Sequence, residues 1–292
     1  MEPPVEGEVS NLAALPERLH VVPYRAILDV SEHLVRRVAR LLRQERQRRG
    51  TRRDTRALSC RRQAILVLRW FRERADAAAL ARDNGIGRAT AYRYIDEAIT
   101  VLAAHAPSLE QALRRARENG GRVVLDGKLF SADRCRQRDP VTGNDVWYSG
   151  RKRRHCGNVQ FLADATGEPL WVSPVEPGSV ADITAARRHV LPQLRPATGD
   201  DLVALADAGY DGAGAGIHVP IKRPHAVPEA CFSLDNQAYN LLLRGMRGIG
   251  ERAMAVLIGR WRVLRHTTKS PSRIGDIVQA ALTLTILERE TC

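Results

Sequence analysis

The chain has 292 residues, 44% hydrophobic and 27% charged, which fits a soluble globular protein of about two domains and excludes a collagenous, low-complexity or wholly disordered chain. Lys and Arg number 46 against 33 Asp and Glu, a net charge of +13. A polyanionic partner is therefore expected, with nucleic acid first.

The only lysines are Lys128, Lys152, Lys222 and Lys269, so the basic excess is almost all arginine, whose planar fork suits phosphate and guanine edges. A GC-rich genome accounts for much of the Arg-to-Lys ratio but not for the net charge. The acidic start MEPPVEGEVS has no apolar core and does not read as a secretory signal. The apolar stretch 277–287 is broken by Gln279, Thr283 and Thr285 and is too short to cross a bilayer. Five scattered cysteines without a C-x-x-C pair argue against a disulfide framework or a zinc site. The expectation is a cytoplasmic, nucleoid-associated protein with no membrane partner.

In chain order, residues 1–58 read as an accessory segment. Its helix runs from Ser31, a candidate N-cap, to Arg49, with Leu34, Val35, Val38, Leu41 and Leu42 on one face and a basic tail. Residues 59–120 read as an all-α helix-turn-helix domain with linker. Residues 61–74 form an amphipathic helix, Asp76 caps a short helix 77–83, Asn84-Gly85 turns the chain, and a longer helix starts at Arg88. The first turns of that helix carry Arg88, Thr90, Ala91, Tyr92 and Arg93. In this geometry they would enter a major groove, Arg toward guanine and methyl groups toward thymine. Two helices joined by a Gly turn also occur in proteins that never meet DNA.

Pro107 ends that helix, 109–118 is another, and Asn119-Gly120-Gly121 marks a boundary. From there to residue 292 the pattern is α/β. Strands are expected at 122–130, 158–163, 170–175, 201–206 and 216–222, a helix at 181–194, and one or two long helices over 235–264. The order fits an RNase H-like sheet and would also fit other α/β folds.

Asp126 lies inside the first apolar strand and Asp207 just past the strand LVALA. Carboxylates are costly in such places, and open α/β sheets bind ligands at strand carboxyl ends. Glu251 stands in a basic and apolar helical stretch. Three such acids could hold divalent ions, oxygen ligands selecting Mg²⁺ or Mn²⁺. Alternatively, Asp126 caps a turn and Glu251 pairs with an arginine. Lys152, Arg153 and Arg154, with Arg151, form a basic run that contacts phosphate or faces solvent. Asn158 and Gln160 share one strand face, and they line a site or serve the core. His155 either approaches a metal or has a structural place. Asp182 reads as a helix cap, and Trp261 as core.

The segments VVLDG (123–127), YSGRKRRHCGNVQFLAD (148–164), PGSVADITAAR (177–187), LADAGYDGAG (205–214) and GERA…WRVLR (250–265), in this order, resemble the DDE transposases of bacterial insertion sequences. The branch is the one related to PIF/Harbinger, and the chain is most similar to actinobacterial members of the Insertion Sequence Five family. The upstream YRAILDV, RQAILVLRWF and ARDNGIGRATAYRYIDEAI are similar to that group's N-terminal region.

The resemblance implies a helix-turn-helix domain followed by an RNase H-like catalytic domain. It also implies a metal-binding triad of Asp126, Asp207 and Glu251, with Mg²⁺ as cofactor and Mn²⁺ as substitute. The implied activity is cutting and joining double-stranded DNA at the element's terminal inverted repeats, and cutting two ends in concert suggests a homodimer or larger assembly on DNA. Three positions depart from the family pattern: Ala208 where a Lys is common, Met254 where a polar residue is common, and Ile258 where a basic residue grips the DNA terminus. The competing expectations are a catalytically impaired remnant or helix-turn-helix regulator, and a nuclease that cuts without joining.

Overall fold

The structure is a computed structural model, and it describes residues 26–52, 55–224 and 232–290. The amino-terminal decapeptide, Tyr24, Cys231 and Cys292 lie outside the described residues.

Four helices come first: α1 (Glu32–Arg48), α2 (Cys60–Glu73), α3 (Ala77–Asp83) and α4 (Arg88–Ala103). The polar residues before them set where three of them begin. Ser31 accepts from the Leu34 N–H at 3.1 Å, Ser59 from Arg62, and Asp76 from both Ala78 and Ala79. The helix α4 starts at Gly87 without a side-chain cap. Buried Gln63 ties three helices together. It donates to the Tyr94 carbonyl on α4 and accepts from Arg46 on α1 at 2.7 Å. The helix α5 (Leu109–Glu118) opens on a Ser108/Gln111 capping box and ends at Asn119. Gly121 then turns with φ +64°, where a Cβ would stand 2.4 Å from the Asp201 carbonyl oxygen, so only glycine fits there.

Seven strands follow in one sheet: β1 (Arg122–Ser131), β2 (Tyr148–Ser149), β3 (Arg154–Asp164), β4 (Pro169–Val172), β5 (Glu176–Pro177), β6 (Val203–Leu205) and β7 (Ile217–His218). Their order is β2-β3-β1-β6-β7, with β4 and β5 also paired to β3. β1 runs antiparallel to β3 and parallel to β6, which runs parallel to β7. The single helix expected over 181–194 is two, α6 (Asp182–His189) and α7 (Leu191–Ala197), divided at Val190 just ahead of Pro192. The long helix is α8 (Leu234–Arg260), and the chain closes with α9 (Ile274–Arg289).

Alternation along β1 and β3 sorts their side chains to two faces. Val123, Leu125 and Leu162 join the cluster under α5, α6 and α7. Val124 packs with Leu205 and with Leu243 of α8, while Phe161 and Ala163 join the cluster beneath α8 and α9. That second cluster is continuous with the cores of α1, α2 and α4. The helix α9 lies against α4, and Thr283 donates to the Leu102 carbonyl at 2.9 Å. Trp261 is fully buried, edge-on to Phe71 of α2 with centroids 6.3 Å apart, and its indole N–H donates to Thr285 at 2.8 Å. It is core, as expected. Arg260 beside it pairs with Asp29 at 2.8 Å and with Glu288, so this guanidinium is engaged within the protein. No described helix is long and apolar enough to cross a membrane.

Replacing Trp261 with alanine removes the side chain that joins α2 to α9. Its expected cost is about 3–5 kcal/mol, measured by urea unfolding as a lower midpoint with unchanged slope. A loss under about 1 kcal/mol would show that the two halves do not depend on this contact.

Candidate active site

In the parallel pairing of β1 with β6, Val124 stands opposite Leu205. Two residues further along each chain come Asp126, still inside β1, and Asp207, just past the carboxyl end of β6, so the two carboxylates stand on neighbouring strands. Asp126 is paired across β3 with Phe161 and shares its face, toward α8. Asp207 follows β6 and caps a 3₁₀ turn over Ala208–Tyr210, accepting from the Gly209 N–H at 2.8 Å. The expectation that Asp126 caps a turn is met only in part: it accepts the neighbouring Gly127 N–H at 2.8 Å while remaining within the strand.

Glu251 projects from α8. It is exposed and forms no ion pair with an arginine among the described residues. Asp126, Lys128, Glu251, Arg252 and Met254 line one cleft of about 580 Å³. The structure therefore brings Asp126 together with Asp207 and faces Asp126 with Glu251. Among the described residues, no three His, Cys, Asp or Glu gather closely enough to enclose a metal ion.

Burial pushes the Asp126 carboxyl up to about 6. The Gly127 N–H acts against this, and the negative charges of Asp207 and Asp182 reinforce it. Arg247 offsets part of the charge, its guanidinium 3.9 Å from an Asp207 oxygen. A pair of hard oxygen donors, Asp126 half-buried and Asp207 partly exposed, whose charge is incompletely balanced fits a divalent cation.

Asp182, expected to cap a helix, does not. Ala181 is the N-cap of α6, without a side-chain bond. The Asp182 Oδ1 instead accepts from Asn158 at 2.7 Å, and its Oδ2 stands 3.9 Å from Arg151. It also presses on Gly127, where a Cβ would come within 2.4 Å of its Oδ1. Asn158 and Gln160 do share a face, and both are buried. Gln160 donates to Asn158 at 3.1 Å and accepts from the Tyr210 hydroxyl at 2.6 Å. Burial, with the neighbouring Asp182, Asp126 and Asp207 charges, pushes that hydroxyl far up, so it stays protonated. His155 lies instead beside Asp145 (3.4 Å), edge-on to Tyr148.

The basic residues occupy separate places. Arg88 and Arg93 are exposed on the first turns of α4, and Arg93 donates to Thr90 at 3.1 Å. Tyr92 is half-buried. Its ring lies between Arg88, 5.7 Å from the centroid, and Lys269, 4.7 Å away, and Lys269 also pairs with Asp96 at 2.8 Å. Ala91 is buried. Lys152, Arg153 and Arg154 are exposed on the turn into β3, and Arg153 has φ 51°. Met254 is buried at the cleft, and Ile258 packs against the core.

Sequence reasoning missed Arg247 and Lys128. Arg247 lies four residues before Glu251, on the same helix face, and Lys128 lies two after Asp126, on the same strand face. Those spacings were the available signals. Tyr210, three residues past Asp207, carried none, because its partner Gln160 is on a different strand.

A family model described as DDE superfamily endonuclease matches residues 125–285, which hold all three acids and leave α1 to α5 outside the match. No curated protein matches the chain. A solved structure, a Mos1 transposase paired-end complex with left transposon end, is 12% identical over 78% of this chain and 78% of that one, with a TM-score of 0.21, too low to support any inference. With more than half its length matched, the chain belongs to the DDE superfamily endonucleases.

Proposed function

We propose that this protein is a transposase that cuts and joins DNA at the terminal inverted repeats of its own insertion sequence. The observation that carries this reading is the placement of Asp126 on β1 beside Asp207, which lies just past the parallel strand β6, with Glu251 lining the Asp126 cleft, in a DDE superfamily endonuclease. These three would hold Mg²⁺, with Mn²⁺ as substitute. The bound cations supply Lewis-acid stabilisation of phosphorane charge and activation of the attacking oxygen.

The chain's own residues do the rest. The ionised Asp126 and Asp207 provide the negative charge that retains a cation. Lys128 and Arg252 on the cleft wall attract the phosphodiester backbone. Arg88, Thr90 and Arg93 at the exposed start of α4 would read the element ends in a helix-turn-helix mode. Tyr92, held between Arg88 and Lys269, would support that turn. Lys152, Arg153 and Arg154 would hold phosphates near the sheet edge. Concerted cutting of two ends calls for a homodimer on DNA, in a cytoplasmic, nucleoid-associated setting.

A DNA-binding remnant without catalysis is the second reading. Ile258 favours it, because it packs into the core where the resembled family carries a basic DNA grip.

Labelled DNA bearing the sequences that flank the gene, incubated with Mg²⁺ or EDTA, separates the two. End-specific cuts that vanish in Asp126→Ala, Asp207→Ala and Glu251→Ala, with DNA binding retained, are expected. Binding without any cut would establish the remnant, and cutting without joining a plain nuclease.

Arg88→Ala and Arg93→Ala should each weaken end binding by about 1–3 kcal/mol if they read bases, or lower the salt slope by about one if they contact phosphate. Normal binding by both variants would remove α4 from the interface.

The raised Asp126 carboxyl sets a pH dependence. Its proton is held more tightly in the folded state, so its contribution to metal-free stability is complete below about pH 4 and is lost as pH rises through about 6. The loss is on the order of 1–3 kcal/mol. Thermal melts in EDTA should show that decline in wild type. Asp126→Asn should flatten it and melt higher at pH 8, and added Mg²⁺ should raise the wild-type melting temperature alone. A wild-type profile already flat from pH 4 to 7 would contradict the burial of an ionised Asp126.

A further inference from the structure

Behind the sheet, on the face away from α8, a line of hydrogen bonds runs from Tyr210 to Asp182. The Tyr210 hydroxyl donates to Gln160 Oε1 at 2.6 Å, Gln160 Nε2 to Asn158 Oδ1 at 3.1 Å, and Asn158 Nδ2 to Asp182 Oδ1 at 2.7 Å. Tyr210, Gln160 and Asn158 are all at most 1% exposed.

The direction of the line is set at one end. A carboxylate only accepts, so Asn158 must turn its amide nitrogen to Asp182 and its oxygen to Gln160. Gln160 must then present its own oxygen to Tyr210, which donates. Each member has one orientation in which all bonds are made, and buried amides left unpaired are costly.

Both ends of the line touch the backbone that carries the site. Tyr210 closes the 3₁₀ turn begun by Asp207, its N–H donating to the Asp207 carbonyl at 3.0 Å. Asp182 lies against Gly127, the residue after Asp126 and the β3 register partner of Gln160. We propose that Tyr210, Gln160, Asn158 and Asp182 form one positioning relay. From the far face of the sheet it fixes the strand at Gly127 relative to the turn after Asp207, and so sets the spacing of the two carboxylates. The relay rests on the reading of Asp126 and Asp207 as cation ligands. Its members are positioning residues and touch neither cation nor DNA.

The test is Mn²⁺ affinity, by calorimetry on the full-length metal-free protein at neutral pH, with thermal melts run alongside. Tyr210→Phe deletes one oxygen and the donor. Asp182→Asn removes the acceptor-only end at a partly exposed site that tolerates the change. Each should weaken Mn²⁺ binding on the order of ten-fold while the protein remains folded. Tyr210→Phe combined with Asp182→Asn should be no weaker than the worse single variant, because either cut already disables the line. Wild-type affinity in Tyr210→Phe and Asp182→Asn, whatever their melting temperatures, would overturn the relay, as would losses that simply multiply.

Wild type that binds Mn²⁺ and loses it in the variants, yet never cuts DNA, would sink the transposase reading and leave the relay standing. Wild type that does not bind Mn²⁺ would sink both.

Discussion

The site depends on two like charges being held together on neighbouring strands, one within β1 and one just past β6. Carboxylates repel each other and resist desolvation, so nothing in Asp126 or Asp207 alone would bring them to one place. The parallel ladder between β1 and β6 does so, because its backbone hydrogen bonds fix the register and the register fixes the pair. The cost appears in the Asp126 carboxyl, pushed up to about 6 by burial and by its neighbours' charge. Arg247, 3.9 Å from Asp207, balances part of it. The negative charge that Arg247 leaves unbalanced is built into the fold.

The strand β1 serves three layers at once. Its odd residues Val123 and Leu125 bury against α5 to α7, while Val124 anchors α8 through Leu243. Asp126 follows on the α8 side, within the cleft that Glu251 lines. At Gly127 the strand carries no side chain, and Asp182 occupies the space a Cβ would need. Packing on both faces therefore holds the strand in the one position where its carboxylate meets that of β6.

The amino-terminal helices share this frame. Phe71 of α2 meets Trp261 just beyond α8, and α4 lies along α9, so the hydrophobic cluster passes without a break from the first helices to the sheet. The exposed start of α4, with Arg88 and Arg93, is thereby held in a fixed relation to the carboxylate cleft. Tyr92, wedged between Arg88 and Lys269, adds a polar contact to the same junction.

Local chemistry was readable from the residues alone. Ser31, Asp76 and the Asn119-Gly120-Gly121 break mark helix ends, because caps and turns are decided within a few residues. Periodicity separated the helices from the strands, and the acids Asp126, Asp207 and Glu251 stood out against apolar or basic surroundings. Pairing across the chain was not readable. The division of α6 from α7, the turning of Asp182 from a helix cap into a partner of Asn158, and the Tyr210–Gln160 bond all join residues with no local relation. So does the balance of Asp207 by Arg247. Sequence by itself determined the elements, the basic excess and the candidate carboxylates, because backbone and side-chain preferences act over short distances. Only tertiary structure decided which carboxylates face one another and which polar groups hold them there, because those contacts depend on strand register and on which faces the core buries.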